Sequence, residues 1–261
     1  RQENGPELTN DQILWIDGNN LPTATTNGTI TNAPLKGSLK VTKTGINASI
    51  LLKDAQFTLY KEDKVTPVAQ AVTDANGVAQ FNDLKVGIYY LKETKAPKGY
   101  TLNTTETKVV VTDESIIEVT YKDTPIVLNI SKKAIGGEAE LQGAVFKIYE
   151  KGDVTKTAVD SWTSNGAVHR VMNGALEVGK TYVLTEMTAP SGYGYMADQE
   201  FTVNQDGSIT LAPSATAEKS GQTLIVRDRK IALKISKQDA AVPGVELPNA
   251  ILGIYDKNGI D

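Results

Sequence analysis

Apolar side chains fall at alternate positions, in short runs, along most of this chain. Leu39 and Val41 are followed at the same spacing by Lys43. Ala55, Phe57 and Leu59 form the next row, Tyr89 and Leu91 lead into Glu93, and Val109 and Val111 precede a last run from Ile117 to Asp123. A period of two puts the members of each row on one face of a β-strand. No stretch carries the 3.6-residue period of an amphipathic helix. Turn chemistry separates the rows: Asp74-Ala-Asn-Gly77 supplies the Asn-Gly pair that tight hairpins favour, Pro97-Lys-Gly99 follows the glutamate row, and Thr124-Pro125 ends the series.

The series then begins again. Leu128, Ile130 and Lys132 match the first row, and Ala144, Phe146 and Ile148 match the second. Asn165-Gly166 repeats the turn, Tyr182 and Leu184 lead into Glu186, and Leu224 and Val226 lead into Asp228. The glutamate segment occurs twice, as Leu91-Lys-Glu-Thr-Lys-Ala-Pro-Lys-Gly-Tyr100 and Leu184-Thr-Glu-Met-Thr-Ala-Pro-Ser-Gly-Tyr193. A third beginning follows: Leu233, Ile235 and Lys237, then Ala250, Leu252 and Ile254. Nine positions separate Asp123 from Lys132 and also Asp228 from Lys237, while Asn32 precedes Lys43 by 11.

Self-similarity at this length predicts tandem domains rather than a solenoid, whose repeats span only about 20–50 residues. Short strands separated by turn signals predict an all-β chain of tandem immunoglobulin-like antiparallel β-sandwiches. Residues 1–35 read as the tail of a preceding domain with a closing strand near 28–34. Residues 36–124 and 125–229 read as complete domains, and 230–261 as the incomplete start of another. The interval from glutamate to closing acid is 30 positions in the first unit and 42 in the second. The difference predicts an insertion in the polar stretch Ala212–Gly221.

Composition narrows the functional classes. With a net charge of −4 and lysines scattered through the strands, the chain lacks a nucleic-acid footprint. No apolar run approaches membrane-spanning length. The absence of cysteine excludes disulfides, zinc–thiolate sites and cysteine nucleophiles.

Ending an inward-facing apolar row on a charge is costly unless the charge is paired or neutralised. Each complete unit does this three times, at Lys43, Glu93 and Asp123 and again at Lys132, Glu186 and Asp228. Burial lowers an amine's pKa and raises a carboxyl's. A neutral lysine amine is a nucleophile. A neutral aspartic acid offers it a carbonyl carbon and a hydroxyl that leaves as water, and a glutamate beside both can carry the proton. Neighbouring strands would hold amine and carboxyl at high effective molarity. On spacing alone two outcomes stay open: a lysine ion-paired to two carboxylates, or an isopeptide bond joining the first and last strands.

These segments resemble the collagen-adhesin B-type (CnaB, prealbumin-like or SpaA-type) isopeptide domains of Gram-positive pilins and surface adhesins. The resemblance is carried by Val-Thr-Lys43-Thr, Ile-Ser-Lys132-Lys, the two Glu…Ala-Pro-x-Gly-Tyr segments, Tyr-Lys-Asp123-Thr-Pro and Val-Arg-Asp228-Arg-Lys. It covers about Lys36 to Arg229 fully and Lys230 to Asp261 in part. It implies CnaB-type sandwiches with autocatalytic cross-links Lys43–Asp123 and Lys132–Asp228, and with Glu93 and Glu186 as catalytic groups. Asn32 and Lys237 become candidate cross-link partners in the incomplete flanking units. In that family the last-strand partner is often asparagine; the aspartates here suit the same condensation.

The resemblance further implies a structural stalk region of a pilin or adhesin, extracellular and anchored to the cell wall of a Gram-positive bacterium. The alternative is a ligand-binding adhesin module contacting a host protein or glycan directly. Expected partners are other pilin subunits, further domains of the same surface protein, and host extracellular matrix. No turnover activity, cofactor, metal, nucleic-acid partner or membrane insertion is expected. His169, the single histidine, reads as a surface strand residue, and Trp162, Tyr193 and Tyr195 as packed or snorkelling aromatics rather than a binding surface.

Overall fold

The computed structural model describes residues 35–112 and 115–254; the closing strand expected near 28–34, and Asn32 with it, lies outside the described residues. The described residues form strands and no helix. The first seven are β1 (Lys36–Gly45), β2 (Gln56–Lys61), β3 (Pro67–Val72), β4 (Val78–Lys85), β5 (Gly87–Lys95), β6 (Thr107–Val111) and β7 (Ile116–Asp123). They make a three-stranded sheet, β4-β1-β7, against a four-stranded sheet, β3-β2-β5-β6. Leu39, Val41 and Phe81 from one sheet close on Phe57, Leu59, Leu91 and Val109 from the other. Burying each such side chain contributes about 1.5–3 kcal/mol. A one-residue slip would turn the whole row to solvent, so the alternation fixes which way each strand faces.

The second sandwich repeats the plan with β8 (Asn129–Ala134), β9 (Gln142–Glu150), β10 (Ala158–Asn165), β11 (His169–Arg170), β12 (Thr181–Thr188), β13 (Gln199–Val203), β14 (Ile209–Leu211), β15 (Glu218–Ser220) and β16 (Thr223–Asp228). Its sheets run β11-β8-β16-β15 and β10-β9-β12-β13-β14. Ile130, Phe146, Ile148, Leu184, Phe201 and Leu224 fill the space between them. β15 falls inside the stretch expected to hold the insertion and hairpins onto β16. The loop before it is pinned from the core: buried Gln199 accepts hydrogen bonds from the Thr216 and Ala217 N–H groups through Oε1, both at 2.7 Å.

All named strand pairs are antiparallel except one in each sandwich. The first and last strands, β1 with β7 and β8 with β16, run parallel as neighbours. The Asp74–Gly77 turn also departs from a hairpin. It joins β3 to β4, which lie in different sheets, and only Gly77 takes a positive φ, of 69°. Asp74 Oδ1 caps it, accepting from the N–H groups of Asn76 and Val78 at 2.9 Å each. Beyond Lys230, Leu233 and Ile235 are exposed, Lys237 with them, and one isolated bridge, Gln238 to Glu246, is formed. Among the described residues, this third row meets no opposing sheet on which to bury itself.

A buried lysine and two carboxylates in each sandwich

Strand register assembles the site. Lys43 pairs with Tyr121 and Gly45 with Asp123, so Asp123 lies one same-face step past the lysine's partner. Lys132 pairs with Val226 and Ala134 with Asp228, giving the same diagonal. The long lysine stem spans that step. The other sheet supplies a phenylalanine and a glutamate directly opposite one another, Phe57 with Glu93 and Phe146 with Glu186. In both sandwiches the ladder slips just past the glutamate, leaving Thr94 and Met187 as the extra residue. Such bulges bend a strand and re-aim the side chains beside it.

All six ionisable groups are buried. Lys43 is 0 % exposed, Asp123 1 % and Glu93 5 %; Lys132 is 2 %, Asp228 1 % and Glu186 7 %. Lys43 Nζ donates to Asp123 Oδ1, and Lys132 Nζ to Asp228 Oδ1. Each Nζ also lies 2.9 Å from its glutamate, at Glu93 Oε1 and Glu186 Oε1. Aromatic rings cover the amine: Phe57 and Tyr121 are 5.7 and 5.6 Å from Lys43 Nζ, and Phe146 is 5.3 Å from Lys132 Nζ.

The hydrogen-bond accounting is the same twice. Glu93 Oε2 accepts from the Asn103 N–H at 2.8 Å, and Glu186 Oε2 from the Met196 N–H at 2.9 Å. The other glutamate oxygen, Oε1, faces Nζ outside its hydrogen-bonding directions and has no hydrogen-bond partner; nor has Oδ2 of Asp123 or of Asp228. Two buried acceptors without a donor are costly. One proton shared between them, as a glutamic acid donating from Oε1 to the aspartate, removes both deficits. Burial raises the Glu93 carboxyl to about 7, the Asp123 charge pushing the same way against the pull of Lys43. Burial likewise raises Asp123 and Glu186. The site therefore favours a protonated glutamate beside an amine and a second carboxyl.

Lys133, next to Lys132, points outward to Glu138 at 2.9 Å. Lys237 is exposed and is brought to no carboxylate among the described residues. His169 is less free than a surface strand residue. Its ring stacks on Trp162 at 3.9 Å and 6°, Trp162 stacks on Phe146 at 5.1 Å, and His169 Nε2 meets Asp160 Oδ2 at 2.9 Å. Sequence reasoning missed the covering role of the phenylalanines, and the amide clamp at Asn103 and Met196. The clamp had a signal: each amide lies ten positions after its glutamate. Among the described residues, no group of three or more His, Cys, Asp or Glu side chains is placed to hold a metal. No helix among them is long and apolar enough to cross a membrane.

Two sandwiches with parallel first and last strands, each enclosing a lysine between an aspartate and a glutamate, define a prealbumin-like isopeptide-type domain protein. The chain belongs to the SpaA family of prealbumin-like fold domains, whose family model matches residues 37–125 and 127–216. It is 32 % identical over 108 residues to a collagen adhesin of Staphylococcus aureus, a match covering 39 % of this chain and 9 % of that protein. Among solved structures it is similar to the Bacillus anthracis TIE protein, at 28 % identity and a TM-score of 0.41, over 86 % of this chain and 40 % of that one. A streptococcal ancillary pilin matches at 21 % identity and a TM-score of 0.39, over 76 % and 63 %. The pilus adhesin SpaC of Lactobacillus rhamnosus GG matches at 17 % and 0.44, over 76 % and 32 %. The chain thus spans less than a tenth of the collagen adhesin and less than two thirds of each of these three structures.

Proposed function

We propose that residues 36–124 and 125–229 are two units of a pilin or adhesin displayed on a Gram-positive cell wall, each closed by an isopeptide bond, Lys43–Asp123 and Lys132–Asp228. The observation that carries the reading is the repetition: the same three buried groups, in the same register, leave the same two oxygens without donors in both sandwiches. A proton moves from the lysine ammonium to the aspartate, giving a neutral amine and a carboxylic acid. Nζ attacks Cγ. As the C–OH bond breaks, the glutamate delivers its Oε1 proton to the departing oxygen and takes one from Nζ. One water leaves, an amide remains, and the glutamate ends in its starting state. The chemistry happens once per site, so its product is a stapled fold and not a turnover activity.

A stalk that holds a binding domain away from the wall is the role this stapling supports. The likeness to a collagen adhesin favours a second reading, in which these sandwiches themselves contact host matrix protein. Intact mass under denaturing conditions tests the chemistry: two waters should be missing, and an unmodified mass would leave only ion-paired triads. Surface plasmon resonance of the 261-residue chain over immobilised collagen and other matrix proteins separates the roles. Saturable binding gives the second reading, and none gives the stalk.

A further inference from the structure

The Ala-Pro-x-Gly-Tyr turn after each glutamate strand is occupied in the first sandwich and open in the second. The chain leaving β7 returns to the first turn: the Ile126 N–H donates to Gly99 O at 2.8 Å, and Tyr100 bridges Pro125. The chain leaving β16 does the same, the Ile231 N–H donating to Gly192 O at 2.9 Å while Tyr193 bridges Lys230. Both sandwiches therefore send the chain out along one path.

What meets the turn next differs. The Gly99 N–H donates to Leu176 O, and the Leu102 N–H to Gln205 O, each at 2.9 Å. These carbonyls belong to two loops of the second sandwich. Gly99 has a φ of 87° and approaches Gly174 so closely that an added Cβ would lie 2.6 Å from the Gly174 Cα. The corresponding residues of the second turn are Gly192 and Tyr195, whose N–H groups have no acceptor among the described residues. Nothing lies within 4 Å of where a Gly192 Cβ would be built, and Tyr195, standing in the place of Leu102, is 66 % exposed.

We propose that the turn from Gly192 to Tyr195 is a docking port for a further sandwich of this same fold, following in the same polypeptide. It would seat the counterparts of the Leu176 and Gln205 loops on the second turn. The occupant presents two backbone carbonyls to the Gly192 and Tyr195 amides and a residue without a side chain opposite Gly192. Two things on the molecule select this partner over an unrelated protein. The outgoing chain is already held in the path that delivers the second sandwich to the first, and Leu233 and Ile235 carry an exposed row onward at strand spacing. The inference stands on the join between the sandwiches and is independent of the isopeptide bonds.

The test appends a second copy of residues 125–229 directly after Arg229, which puts its Pro125 in the position of Lys230, and reads amide hydrogen exchange. In the 261-residue chain the Gly192 and Tyr195 amides should exchange freely while those of Gly99 and Leu102 are protected. In the extended chain all four should be protected to a similar degree, and Gly192→Val should release Tyr195 without changing exchange in the core of the added copy. Free exchange at Gly192 and Tyr195 beside a protected core in the added copy would overturn the proposal. A second arm needs no added copy: Gly99→Val in the unaltered chain should free the Leu102 amide and lengthen the particle in small-angle scattering. Retained protection and unchanged dimensions would show that the turn is not what seats the next sandwich.

Discussion

Glu93→Gln isolates the cross-link from the packing around it. Glutamine has nearly the same shape and can still accept from the Asn103 N–H, which holds Oε2 at 2.8 Å. The Lys43–Asp123 ion pair stays in place, but no group remains to carry the proton from amine to leaving hydroxyl. The chain should then lack one water instead of two. Lys43 and Asp123 are 80 positions apart, and closing a loop of that length removes unfolded-state entropy worth about 4–5 kcal/mol if the bond acts as a long-loop disulfide does. For a sandwich of this size, with about 4–8 °C of melting temperature per kcal/mol, the first transition should fall by roughly 16–40 °C. The second should hold. Intact mass and differential scanning calorimetry on one preparation give both numbers. A deficit of two waters would refute Glu93 as the proton carrier, and a deficit of one with unmoved melting would refute the stapling argument.

Three further outcomes are expected. Cross-linking at Lys43–Asp123 in newly synthesised chain should slow as pH rises through about 7, where Glu93 gives up its proton; a rate that climbs from pH 7 to 9, followed by mass, would instead make amine deprotonation limiting. Because the Glu93 pKa is raised above its usual 4.5, its contribution to the unreacted fold is complete below that value and is lost as pH climbs to about 7. Phe57→Ala should open a cavity over Lys43, cost the first sandwich about 3–5 kcal/mol and delay only its own cross-link, as urea unfolding and mass would show. In a Glu186→Gln background, Trp162→Ala should break the stack between Phe146 and His169 and, Trp162 being only partly buried, cost the second sandwich less than the about 3–5 kcal/mol of a fully buried aromatic in the same urea assay.

The strands and their facing were legible because alternation has one physical meaning: Leu39, Val41 and Lys43 share a face whatever lies across from them. The chemistry of Lys43 and Asp123 also put the first strand beside the last. That β1 and β7 run parallel was not legible, because strand direction depends on contacts about eighty residues apart, which no local pattern encodes. The Asp74–Gly77 turn looked like a hairpin because Asn-Gly serves hairpins. Here an aspartate cap and one positive φ carry the chain between sheets instead. His169 was read as a surface strand residue from its place in Ala-Val-His-Arg-Val. Its stacking partner, Trp162, comes from a strand of the other sheet. The amides of Asn103 and Met196 were invisible for a simpler reason: a backbone N–H has no letter in the sequence.

The parallel register of β1 and β7 decides how such a unit answers a steady pull. With the amide in place, force applied at Lys36 runs along one strand to Lys43, crosses two side chains and departs at Asp123. The intervening stretch of about 80 residues, roughly 270 Å if drawn out straight, never feels it. Stacked into a rod, units closed in this way would have almost no spare length to release and would pass on a sudden jolt undamped. Whatever give such a rod had would lie in the short connectors where one sandwich hands the chain to the next.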